Sequence, residues 1–70
     1  MKIDEMSNPQ IANVIDTWIR GERNRELLKR RLIDGICYEP LAEEFDLSVA
    51  QVKNIIYKEQ TKLFKKIEEM

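Results

Sequence analysis

The chain has 70 residues, 43% hydrophobic and 36% charged, with a formal net charge of −1, one cysteine and no histidine. That length allows one small domain, which buries only about 60% of the surface of its unfolded chain and so depends on well-packed helices or a partner. A lone cysteine without histidine excludes a disulfide framework and a zinc finger. No apolar run approaches a membrane span, so no membrane partner is expected.

The start, MKIDEM, lacks the basic-then-apolar order of a signal peptide, which points to the cytoplasm, and residues 1–7 are expected to fray. A helix over 8–20 follows from Asn8 as N-cap, Pro9 at the first helical position, and Ile11, Val14, Ile15, Trp18 and Ile19 at helical spacing. Trp18 among isoleucines is read as core, the alternative being a platform for stacked bases. Gly21 ends or weakens that helix. A basic helix over 22–34, beginning at Glu22 or Asn24, turns Leu27, Leu28 and Leu32 inward, with Ile33 at its margin. Arg23, Arg25, Lys29, Arg30 and Arg31 surround it, and Gly35 closes it as a C-cap.

The stretch from Cys37 to Phe64 places its apolar residues where two helices, 38–46 and 48–67, must cross as a helix-turn-helix. Leu41, Ala42 and Phe45 face inward from the first, Leu47 fills the turn, and Val52 and Ile55 face inward from the second. Ala42 sets the geometry, because a larger side chain at the crossing would push the helices apart. Asp46 stands where a left-handed backbone is needed, a conformation that Asp tolerates better than most residues. Ser48 is the predicted N-cap of the second helix, accepting from the N–H of Ala50 or Gln51. Pro40 lies in the first turn of the first helix, where its missing N–H costs nothing, and Glu39 suits the positive end of the helix dipole. Cys37 is read as a small, partly buried thiol at that helix's cap, against a redox switch.

The near-zero net charge hides a division by element. Arg20 to Arg31 carries six basic and two acidic residues, Ser48 to Lys66 five lysines against Glu59, and Asp34 to Asp46 five acids and no base. Local basic clusters, not totals, displace counterions from nucleic acid, although the same charges would suit plain solvated faces. Beyond the cap Ser48, the outward face of the second helix offers Val49, Ala50, Gln51, Lys53, Asn54, Tyr57 and Lys58. Gln51 and Asn54 have paired amide groups suited to adenine, Val49 or Ala50 can touch a thymine methyl, and lysine reaches guanine or phosphate. Lys53 and Lys58, with Arg23 or Arg31, are the expected sequence-independent phosphate contacts. Further along, Ile56, Leu63, Phe64 and Ile67 either fold back on the N-terminal helix around Trp18 or form the seam of a homodimer.

No catalytic constellation emerges, so no enzyme and no cofactor are expected. Glu39, Glu43, Glu44 and Asp46 are crowded on one short helix and its turn, which reads as a solvated face, and no nucleophile is paired with a base.

The run NRELLKRRLIDGICYEPLAEEFDLSVAQVKNIIYKEQTKLF resembles the promoter-reading C-terminal domain of bacterial sigma factors, which recognises the −35 element. The likeness lies in a basic helix ending RRLIDG, then YEPLAEEF, then LSVAQVKNI leading to KLFKKI. Response-regulator output domains share a similar pattern. The resemblance implies an all-α, four-helix domain whose second motif helix enters the major groove. It further implies contacts from Val49, Ala50, Gln51, Lys53 and Asn54, and phosphate contacts from Arg23, Arg31 and the start of the first motif helix near Cys37 and Tyr38. The chain departs from the family in having Val49 and Ala50 where a charged pair is common, and Cys37 in place of a Ser or Thr cap. It also lacks the length for the sigma segments that bind the polymerase core, so it is similar to the small stand-alone regulators of prophages and mobile elements. The expected partner is double-stranded DNA. The alternative, from another class, is a sigma-like module that docks on RNA polymerase or another transcription factor.

Overall fold

The computed structural model describes residues 5–69. Among them the chain is all-helical, with α1 (Asn8–Trp18), α2 (Glu22–Leu32), α3 (Tyr38–Phe45), α4 (Val49–Glu69) and no strand. None of these helices is long and apolar enough to cross a membrane. The longest dimension, 33 Å, is close to the length of α4, whose 21 residues rise about 1.5 Å each. The other three helices gather along it, α3 and α2 packing most extensively and α1 joining both α2 and α4.

The cap of α1 is Ser7, not Asn8. Ser7 Oγ accepts from the Gln10 N–H at 3.4 Å while Gln10 Oε1 accepts from the Ser7 N–H at 2.9 Å. This reciprocal pair satisfies two helix-end donors at once, which a side chain at position 8 could not do with Gln10 at that spacing. Pro9 falls one place deeper in the first turn than predicted. Of the segment expected to fray, Met1–Asp4 lie outside the described residues, whereas Met6 is half-buried against the core and Ser7 is fixed by its cap.

Helix α1 ends at Trp18, two residues short of the expected 20, and Ile19 is extended yet 1% exposed. Its side chain still reaches the core, so the apolar pattern outlasts the helix that it implied. Gly21, at φ 87°, then caps α2, a backbone that few other residues adopt. Helix α2 stops at Leu32 with Ile33 as its C-cap, before Gly35, whose φ of 69° turns the chain toward α3. Leu27 and Leu28 are fully buried, and Leu32 and Ile33 half-buried.

Between α3 and α4 the turn is as short as the sequence implies. Asp46 is left-handed at φ 55°, ψ 46°, its N–H reaching back to α3, and the Leu47 N–H donates to the Ala42 carbonyl at 2.9 Å. Helix α4 opens with a second reciprocal cap. Ser48 Oγ accepts from the Gln51 N–H at 3.1 Å, and Gln51 Oε1 accepts from the Ser48 N–H at 2.9 Å. Ser48→Ala should therefore lower stability by about 0.5–2 kcal/mol, read in a denaturant titration. An unchanged midpoint would mean that the cap contributes nothing in solution.

The core joins Ile11, Val14, Ile15 and Ile19 to Leu27, Leu28, Leu41, Ala42, Val52, Ile56, Leu63 and Ile67. The buried stripe of α4 is Val52, Ile56, Glu59, Leu63 and Ile67, so Ile56 takes the place expected for Ile55, which is half-buried. A step of four residues follows the 3.6-residue turn as well as a step of three does, and the continuation to Leu63 decides between them. Ile56, Leu63 and Ile67 are buried within the chain itself, and Phe64 is half-buried against the same core.

Trp18 is the clearest correction. It is 39% exposed, with the Lys66 ammonium 5.0 Å from its ring centroid. Falling at the last turn of α1, it lies at the edge of the region where α1 meets the end of α4, and an indole beneath a lysine can keep one face wet.

Candidate nucleic-acid interface

Much of the basic charge of α2 is tied to the protein. Lys29 pairs with Asp16 at 2.8 Å, Arg30 pairs with Glu44 and lies 3.7 Å from Asp34, and Arg25 Nε donates to the Ile19 carbonyl at 2.6 Å. Surface ion pairs contribute little stability, about 0–1 kcal/mol each, but they neutralise cations that a polyanion would otherwise meet. Arg23 is exposed at the start of α2, bonded only locally to Asn24 Oδ1 at 3.3 Å.

Arg31 behaves differently. Its Nη1 donates to the Ile36 carbonyl at 3.2 Å, and its guanidinium carbon lies 4.6 Å from the centroid of the Tyr38 ring. Lys53 of α4 places its ammonium 5.7 Å from the same ring. The Tyr57 ring, one turn further along α4, meets Tyr38 edge-on at 6.4 Å and 62°. Tyr38, the first residue of α3, thus gathers two cations and a second phenol from α2 and α4. Cation–ring contacts at such exposure contribute about 0.5–1 kcal/mol each, and they bias both cations toward the ring.

Tyr57 is 53% exposed. Hydrogen bonding with Tyr38 and then the charge of that neighbour raise its phenol above the ordinary value of 10, desolvation adds to this, and Arg31 opposes it. The phenol therefore stays protonated at neutral pH and remains a hydrogen-bond donor.

Beside the cluster lies a groove of about 470 Å³ lined by Cys37, Tyr38, Glu39, Pro40, Val49 and Lys53. It runs from the first turn of α3 to the first turn of α4. Cys37 caps α3 through its backbone alone, with no side-chain cap bond, and its thiol is exposed instead of partly buried.

Ser48, Ala50, Gln51, Lys53, Asn54, Tyr57 and Lys58 are all exposed, while Val49 is half-buried on the groove. The structure brings Arg31, Tyr38, Lys53 and Tyr57 together. Arg23 stands apart at the other end of α2, and Lys58 and Asn54 project from α4 without joining the cluster. Glu39 and Pro40 line the groove without having been expected there; their place in the first turn of α3 was the available signal. Among the described residues no three His, Cys, Asp or Glu side chains converge where a metal ion could be held.

The chain matches no family model, no curated protein and no solved structure.

Proposed function

We propose that the chain binds double-stranded DNA sequence-specifically through a helix-turn-helix formed by α3 and α4, and that it regulates transcription by binding, without catalysis. In this reading α4 enters the major groove with Val49, Ala50 and Asn54 toward the bases, while Arg31, Tyr38, Lys53 and Tyr57 grip a flanking phosphate. The observation that carries it is the gathering of Arg31 and Lys53 around Tyr38, beside the exposed first turns of α4. Two cations held by one ring, with phenols as donors, suit a phosphodiester better than a neutral ligand. The likeness of RRLIDG, YEPLAEEF and LSVAQVKNI to the −35-reading domain of sigma factors supports the same orientation. By that analogy the chain is a small cytoplasmic regulator of the prophage or mobile-element type.

Binding to a labelled duplex, followed by anisotropy, tests the reading. With about four phosphate contacts, from Arg23, Arg31, Lys53 and Lys58, affinity should fall about a hundredfold between about 50 and 200 mM salt. Lys53→Gln should weaken binding to all duplexes alike and lower the logarithmic salt slope by about one unit. An unchanged slope in Lys53→Gln would remove that residue from the electrostatic footprint. Absence of salt-dependent binding would favour the alternative of docking on RNA polymerase or another factor.

A further inference from the structure

The tip of α4 would reach furthest into a groove, and its one early amide is already engaged. Gln51 Oε1 holds the Ser48 N–H at 2.9 Å, while the Gln51 N–H is held by Ser48 Oγ at 3.1 Å. Turning that amide toward a base would orphan the Ser48 N–H at the helix end, so the paired donor and acceptor that adenine requires are not both free. Beside it, Ala50 is exposed and Val49 is half-buried along the groove, so the tip presents methyl groups flanked by the Lys53 cation.

We infer that the first turn of α4 reads the 5-methyl group of thymine through Val49 and Ala50, and that Gln51 is a positioning residue that holds this turn and reads no base. The inference rests on the DNA-binding reading above. Thymine is distinguished in the major groove by that methyl, the apolar feature of an otherwise polar edge, and two small aliphatic side chains can close over it without losing hydrogen bonds. Removing one buried methyl should weaken binding about fourfold, the equivalent of about 0.8 kcal/mol. Amide readout would fail differently, by leaving a donor or acceptor unpaired.

The test begins with duplexes enriched from a random pool by the full chain. Each thymine of an enriched duplex is then replaced in turn by deoxyuridine, which deletes the methyl and keeps every hydrogen-bonding group. One or two positions should lose about fourfold in affinity. That penalty should disappear in Val49→Ala or Ala50→Gly. Gln51→Glu, which keeps an N3 side chain able to cap, should enrich the same sequence at lower overall affinity. A uniform tolerance of uracil, a penalty that survives both small-residue variants, or a new base preference in Gln51→Glu would overturn the inference while leaving DNA binding intact. Failure to bind any duplex in a salt-dependent way would overturn the DNA reading, and this inference with it.

Discussion

Leu63→Ala should cost about 2–5 kcal/mol, although Leu63 lies about three turns along α4 beyond Lys53 of the candidate interface. Leu63 is fully buried in the cluster that also holds Ile11, Val14 and Ile15 of α1. Truncation loses the transfer energy of the removed carbons and leaves a cavity that four short helices can close only by moving. For a domain of this size each kcal/mol shifts the melting temperature by about 4–8 °C, so a fall of 10 °C or more is expected. Calorimetry at two protein concentrations separates the readings, because a residue of a dimer seam would melt in a concentration-dependent way. A melting temperature near that of the parent protein would show that the second half of α4 is not core.

Ala42→Leu should destabilise by about 1–3 kcal/mol or more, in the opposite sense of volume. Ala42 is 5% exposed on α3, and its carbonyl already holds the Leu47 N–H of the turn. A larger side chain has to displace α3 from its neighbours or strain that turn. Tyr38 is on α3 and Lys53 on α4, so any widening also parts the ring from one of its cations. Duplex affinity measured on the folded fraction should therefore fall together with stability. A variant that melts at the parent temperature would place the α3–α4 contact elsewhere.

The helices were legible because their apolar residues recur at a period that only one secondary structure satisfies. Ile11, Val14, Ile15, Leu27, Leu28, Leu41, Ala42 and Val52 all face the core as that period requires. Adjacent apolar pairs were less decisive: Ile55 and Ile56 differ by 100° around the helix, and only the position of Leu63 favours Ile56. End effects escaped for a related reason. Asn8 and Ser7 are both good caps, and the choice falls on the one three residues before a glutamine. The same spacing in Ser48 and Gln51 was present in the sequence, and it engages the amide of a residue that otherwise looks suited to adenine. Period alone places Trp18 in the core, and period does not say where a helix stops being covered. The Arg31–Tyr38–Lys53–Tyr57 cluster joins residues from three helices, an arrangement that no local pattern contains. The resemblance implies phosphate contacts from both Arg31 and Tyr38, but it does not reveal that the turn through Gly35 brings them face to face.

Helix α4 carries the fold on one side and the candidate contacts on the other along a single uninterrupted rod. Val52, Ile56, Leu63 and Ile67 share no position with Ala50, Lys53 or Asn54. The two sets are interleaved in the chain but separated in azimuth, so a mutation that alters one need not disturb the other. Such a scaffold can diversify its target one exposed side chain at a time while its stability stays nearly constant, and related proteins would be expected to differ most at the outward positions of this helix.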